Sequence, residues 1–97
     1  MHEYNSDRLI SIWEAIHDNL RLQLGQAEVH EIETSVILEY AAKVNDHENE
    51  AIAADQALTA YEMVESLRDR VAWLEEKIAR ESEKAAKERG ARYAEYS

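Results

Sequence analysis

The chain has 97 residues, 21 acidic against 11 Lys and Arg, and a formal net charge of −10. Hydrophobic residues make up 45%, enough to fold, but Pro and Phe are absent and Gly occurs only twice. That scarcity of turn residues excludes a sheet protein of this size and predicts an all-α domain with few helices.

The first helix is predicted over about residues 7–24, with Asn5 or Ser6 as N-cap and Asp7 near the positive helix end. Leu9, Ile12, Trp13, Ile16, Leu20 and Leu24 recur at three- and four-residue steps and form one apolar stripe. Gly25 follows, where a helix often stops or kinks. The second helix is predicted over about 27–44, with Val29, Ile32, Val36, Tyr40 and Val44 as its stripe. Asn45 and Glu48 then stand at capping-box spacing, so a third helix begins near Asp46 and runs to about Glu88. Ala53, Ala57, Ala60, Val64, Leu67, Val71, Leu74 and Ile78 follow a heptad pattern along it, which fades after Ile78. Residues 91–97 read as a frayed, flexible tail beyond Gly90.

The connection at 44–47 is short enough to make its flanking helices antiparallel neighbours. A turn centred near residue 45 puts Leu24 beside Leu67, Leu20 beside Val71, Ile16 beside Leu74 or Glu75, and Trp13 beside Ile78. It also puts Val36 near Asp55 and Ala57, and Val29 near Met63 and Val64. The expected architecture is therefore one long hairpin of residues 1–90. Its first arm is kinked at Gly25, and its second is a long, coiled-coil-like helix. A two-helix hairpin has one buried seam, and chains this small need further stabilisation. Trp73, Leu58, Tyr61, Ile10, Ile37 and Leu38 all fall away from that seam. A helical-bundle homo-oligomer would cover them, with Leu58, Tyr61, Leu67, Val71, Trp73, Leu74 and Ile78 as its interface.

Charge is uneven. Residues 1–67 hold 14 acidic and 3 basic side chains, whereas 68–97 hold 7 and 8. Glu31, Glu39, Asp46, Glu48, Glu50 and Asp55 crowd the turn end and form a candidate docking surface for a basic protein partner. Carboxylates on helices can stand in for phosphates in a nucleic-acid-binding groove, with strong salt dependence. Direct binding of duplex nucleic acid is not expected of so acidic a body.

Sites for chemistry are few. Glu14 and His17 form a Glu-x-x-His pair, the spacing that ligates metal in carboxylate-bridged diiron bundles. Glu33, set inside the second apolar stripe, is the candidate third ligand, for a divalent metal shared between subunits. A boundary Glu33 bonded to Gln56 or Thr59 is the plain alternative. Arg68, Arg70, Lys77 and Arg80 around Trp73 form a candidate anion site, and Trp with Arg is a favoured binding combination. In the tail, Lys84, Lys87, Arg89, Arg92, Tyr93 and Tyr96 interleave basic and aromatic groups. Without Cys there is no disulfide framework, thiolate metal site or Cys nucleophile. No phosphate loop, His-Glu-x-x-His helix or nucleophile elbow is present.

The expected function is a non-enzymatic, acidic helical interaction protein without a cofactor. It docks on a basic partner and occludes it, in the manner of a small inhibitor of phage or mobile-element type. The alternatives are an oligomer binding metal or a small anion at subunit interfaces, and a structural coiled-coil adaptor. Apolar runs are too short to span a membrane, and Met1-His2-Glu3-Tyr4 has no signal-peptide character. A cytoplasmic location is expected.

Overall fold

The computed structural model describes residues 4–96, with side chains for residues 4–91. Its elements are two helices, α1 (Ser6–Lys43) and α2 (His47–Tyr96). They lie antiparallel in a hairpin with extents of 76 × 26 × 14 Å. The all-α hairpin expected from the sequence is thus present. The two short helices expected before the turn are one helix of 38 residues, which runs through Gly25. Neither glycine has a positive φ, so Gly25 sits in α1 as an ordinary helical residue. No described helix is long and apolar enough to cross a membrane.

Both helix ends at the turn are closed by their own sequence. At the far end of α1, Asn5 caps the helix by accepting the Arg8 N–H at 2.8 Å. At the turn, Asn45 takes φ 57°, the left-handed conformation that Asn tolerates better than other side chains. The Asn45 N–H then reaches the Ala42 carbonyl at 3.2 Å and the Asp46 N–H reaches Ala41 at 2.9 Å. This double closure is a Schellman motif, which satisfies carbonyls that the helix end would leave open. The capping role assigned to Asn45 belongs to Asp46, whose carboxylate accepts the Asn49 N–H at 3.2 Å. Asn45 is committed to closing α1, so the cap of α2 moves one residue on.

The buried and half-buried positions repeat with great regularity. On α1 they include Ile10, Trp13, His17, Leu20, Leu24, Ala27, Glu31, Thr34, Leu38 and Ala41, in alternating steps of three and four. On α2 the same alternation runs from Glu50 and Ala53 through Val64, Leu67, Val71 and Leu74 to Glu81 and Ala85. A 3.5-residue period keeps one seam facing one partner along a long helix. The heptad residues expected on α2 all lie in this seam, and the seam continues past Ile78. Ala27, Val64 and Leu67 form a buried cluster with Leu20 and Leu24 packed on it. Burying each large aliphatic side chain here contributes about 1.5–3 kcal/mol.

The turn half of α1 departs from the expected stripe. Val29, Ile32, Val36 and Tyr40 are each more than half exposed. The seam there is filled instead by Ala27, Glu31, Thr34, Leu38 and Ala41. Val29 and Val36 therefore do not face Val64 or Ala57. Two stripes coexist on this half of the helix, and the period set by Leu20 and Leu24 selects the smaller-residue one. Ile10 and Leu38, expected off the seam, are in it, whereas Ile12 and Ile16 turn partly outward. Thr34, only 3% exposed, satisfies its hydroxyl by donating to the Glu31 carbonyl at 2.8 Å.

Candidate functional site: the outward faces of the hairpin

A seam of period 3.5 sorts every other residue by steps of seven, and each side of the hairpin acquires its own chemistry. On the outer side of α2 stand Glu48, Asp55, Glu62, Asp69, Glu76 and Glu83, all exposed. Every seventh residue is acidic, and the carboxylates repeat about every 10.5 Å along the helix. Glu76 lies 4.0 Å from Arg80 on the next turn. This ridge runs far beyond the turn-end cluster read from the sequence. Its signal was legible in the sequence as a strict seven-residue acidic repeat.

One flank of the hairpin is cross-linked by polar pairs. Arg68 reaches Glu28 of α1 at 3.5 Å and Glu65 of its own helix at 3.3 Å. His17 Nε2 lies 2.8 Å from Glu75 Oε1. At the open end, the Ser6 hydroxyl donates to Glu81 at 2.7 Å.

The other flank is apolar and grooved. A groove of about 260 Å³ near the turn is lined by Ile37, Tyr40, Val44 and Ile52. A middle groove of about 320 Å³ is lined by Gln23, Gln26, His30 and Met63. A distal groove of about 270 Å³ lies between Trp13, Ile16, Trp73 and the stems of Arg70 and Lys77. The α1 residues Ile16, Gln23, His30, Ile37 and Val44 are seven apart, as are Gln56, Met63, Arg70 and Lys77 on α2. The three grooves are therefore parts of one continuous face. Lys77 Nζ sits 4.5 Å from the Trp13 ring centroid and 5.4 Å from that of Trp73. The cation lies over both aromatic faces, an attraction of about 0.5–1 kcal/mol for exposed groups.

The sequence-derived site residues divide among these faces. Of the acidic docking set, Glu48 and Asp55 belong to the ridge, and Glu39 is exposed on α1. Asp46 is occupied as the cap of α2. Glu31 and Glu50 are half-buried at seam positions, so the seven-residue period withdraws them from the docking surface. Of the interface set, Leu67, Val71 and Leu74 are buried within the chain and Ile78 is half-buried, so this seam uses them up. Leu58, Tyr61 and Trp73 remain more than half exposed.

Within one chain the structure does not bring the expected metal ligands together. His17 turns to Glu75 across the hairpin, and Glu33 lies about 24 Å further along α1. Glu33 is exposed and 3.9 Å from His30, rather than bonded to Gln56 or Thr59. The Thr59 hydroxyl donates to the Asp55 carbonyl. Among the described residues, no group of three or more His, Cys, Asp or Glu could hold a metal ion. The anion set also splits. Arg70 and Lys77 share the distal groove with Trp73, Arg68 is on the paired flank, and Arg80 leans to Glu76. In the tail, Arg89 donates to the Ala85 carbonyl, while the side chains of Arg92, Tyr93 and Tyr96 lie outside the described residues.

Comparison with known proteins finds no matching family model, no similar curated protein and no similar solved structure.

Proposed function

We propose that the chain is a non-enzymatic interaction protein that associates with itself and docks its acidic side on a basic partner, occluding a nucleic-acid-binding surface. The observation that carries this reading is the ridge of exposed carboxylates at every seventh position from Glu48 to Glu83. A straight row of negative charge on a stiff helix complements a basic groove, speeds encounter and keeps nucleic acid out of the same groove. Self-association is supported by the large apolar side chains left outward, Tyr40, Ile52, Leu58, Tyr61 and Trp73 among them.

In this reading the two helices wind as an antiparallel coiled coil, supported by the alternating three- and four-residue steps of burial. The helix α1 bends at Gly25, its position of lowest helix propensity. The protein acts in the cytoplasm, as an inhibitor of the small phage-encoded kind.

The test uses an arginine-rich, DNA-binding peptide carrying a labelled duplex. The protein is expected to displace the duplex at low salt and to fail at high salt. The triple variant Glu62→Lys, Asp69→Lys, Glu76→Lys should keep its helical circular dichroism and lose displacement. Displacement by that variant at the level of the parent chain would overturn the reading.

A further inference from the structure

We infer that the grooved flank is the self-association surface, and that two copies meet on it antiparallel about a two-fold axis beside Met63. The inference deepens the self-association part of the proposed function and rests on it. It does not depend on the basic partner.

The grooved flank is self-complementary in one orientation. On α2, Ile52 lies about 8 Å from the turn and Trp73 about 39 Å, with Met63 midway at about 24 Å. A two-fold axis at Met63, perpendicular to the helices, lays α2 on α2 of the second copy. Ile52 of each copy then meets Trp73 of the other, and Met63 meets its own mate. On α1 the midpoint between Ile16 and Tyr40 is Glu28, as is the midpoint between Ile12 and Val44. Ala27 packs in one cluster with Val64, so Glu28 stands level with Met63. The same axis therefore also sets Ile16 against Tyr40 and Ile12 against Val44. All of these side chains are between about one-third and two-thirds exposed in the single hairpin.

Charge fixes the orientation. The grooved flank of α2 is basic at its distal half, through Arg70, Lys77, Arg80 and Lys84, and the turn end is acidic. In the antiparallel pair, Arg70 comes level with Gln56 of the second copy, Lys77 with Asn49, and Arg80 with Asp46, which lines the turn groove. A parallel pair would bring the two basic halves together and the two acidic ends together, where like charges oppose association. Apolar matching alone would permit either arrangement, and the charges reject the parallel one.

The chain has no Cys, so introduced thiols report contacts without interference. Met63→Cys protein should oxidise to a covalent dimer, because the two-fold places each thiol beside its copy. Ile52→Cys mixed with Trp73→Cys should give a mixed disulfide, while neither alone cross-links. Gln56→Cys mixed with Arg70→Cys repeats the test without removing an aromatic anchor. The double variant Arg70→Glu, Lys77→Glu should weaken the dimer by about tenfold or more, and mixing it with Asn49→Lys, Gln56→Lys chains should restore pairing. A dimer in which Trp73→Cys cross-links to itself would overturn the antiparallel arrangement and leave self-association standing. A monomer by native mass spectrometry at every concentration would overturn both. Displacement of the duplex by that monomer would still support docking on a basic partner.

Discussion

Ser6 donates a 2.7 Å hydrogen bond to Glu81, although 75 residues separate them. The bond ties the first turn of α1 to a seam position of α2 far from the connecting loop. With His17 and Glu75 at 2.8 Å, it pins the register in a part of the seam where apolar contact alone would tolerate a slip. Ser6→Ala and Glu81→Ala should each destabilise by about 0.5–1.5 kcal/mol, the usual net value of such a bond. A double-mutant cycle measured by urea unfolding should show positive coupling between the two positions. Strict additivity would mean that the bond does not form in solution.

Backbone conformation supplies two opposite expectations. Gly25 is a helical residue inside α1, and a Cβ built on it meets nothing within 4 Å. Gly25→Ala should therefore stabilise by about 0.5–1 kcal/mol, by lowering the entropy lost on folding. Asn45, at φ 57°, is a position where glycine costs nothing and a β-branched residue is strained. Asn45→Gly should be neutral or stabilising, and Asn45→Val should cost about 1–2 kcal/mol. Thermal melting of the three variants checks the set, and a destabilised Gly25→Ala would show that α1 needs freedom at that point.

Glu31 is a half-buried acid at a seam position, between Ala27 and Thr34 on the same face of α1. Glu31→Leu should raise stability by about 1 kcal/mol, since an apolar side chain fits that seam without desolvating a charge. Duplex displacement from the arginine-rich peptide should be unchanged, because Glu31 is not on the ridge. Loss of displacement with retained helicity would return Glu31 to the docking surface.

The hairpin itself was legible because α2 carries one dominant stripe. Ala53 through Ile78 allow a single assignment, and the short link at Asn45 dictates the antiparallel return. The first arm was harder to read because α1 has competing stripes. Val29, Ile32, Val36 and Tyr40 are larger than Ala27, Thr34 and Ala41, so hydrophobicity favours the wrong face. Phase decides instead. The period set by Trp13, Leu20 and Leu24 continues without a break through Gly25 and places the small residues inward. The same phase explains the missed ridge. Its carboxylates are separated by six residues of mixed character, and they align only once the seam period is known. The expected metal ligands stay apart within one chain for a related reason. A Glu-x-x-His spacing puts Glu14 and His17 on adjacent turns, but the seam captures His17 for Glu75.

Leu67 and Trp73 distinguish the seam that folds one hairpin from the proposed surface that would join two. Leu67 is 6% exposed and packs with Val64, Ala27, Leu20 and Leu24, so Leu67→Ala leaves a cavity in the seam. Its cost should be about 2–5 kcal/mol, a large share of the stability of so small a domain. Trp73 is 58% exposed on the grooved flank. Trp73→Ala should leave the helical content of the single chain nearly intact and shift the monomer–dimer equilibrium toward monomer. The distinction is read from concentration. Melting of the parent chain should rise with protein concentration, because association stabilises the folded state by mass action. Leu67→Ala should melt lower but keep that dependence, whereas Trp73→Ala should lose the dependence. A Trp73→Ala chain that still melts higher at higher concentration would show that association does not use the grooved flank.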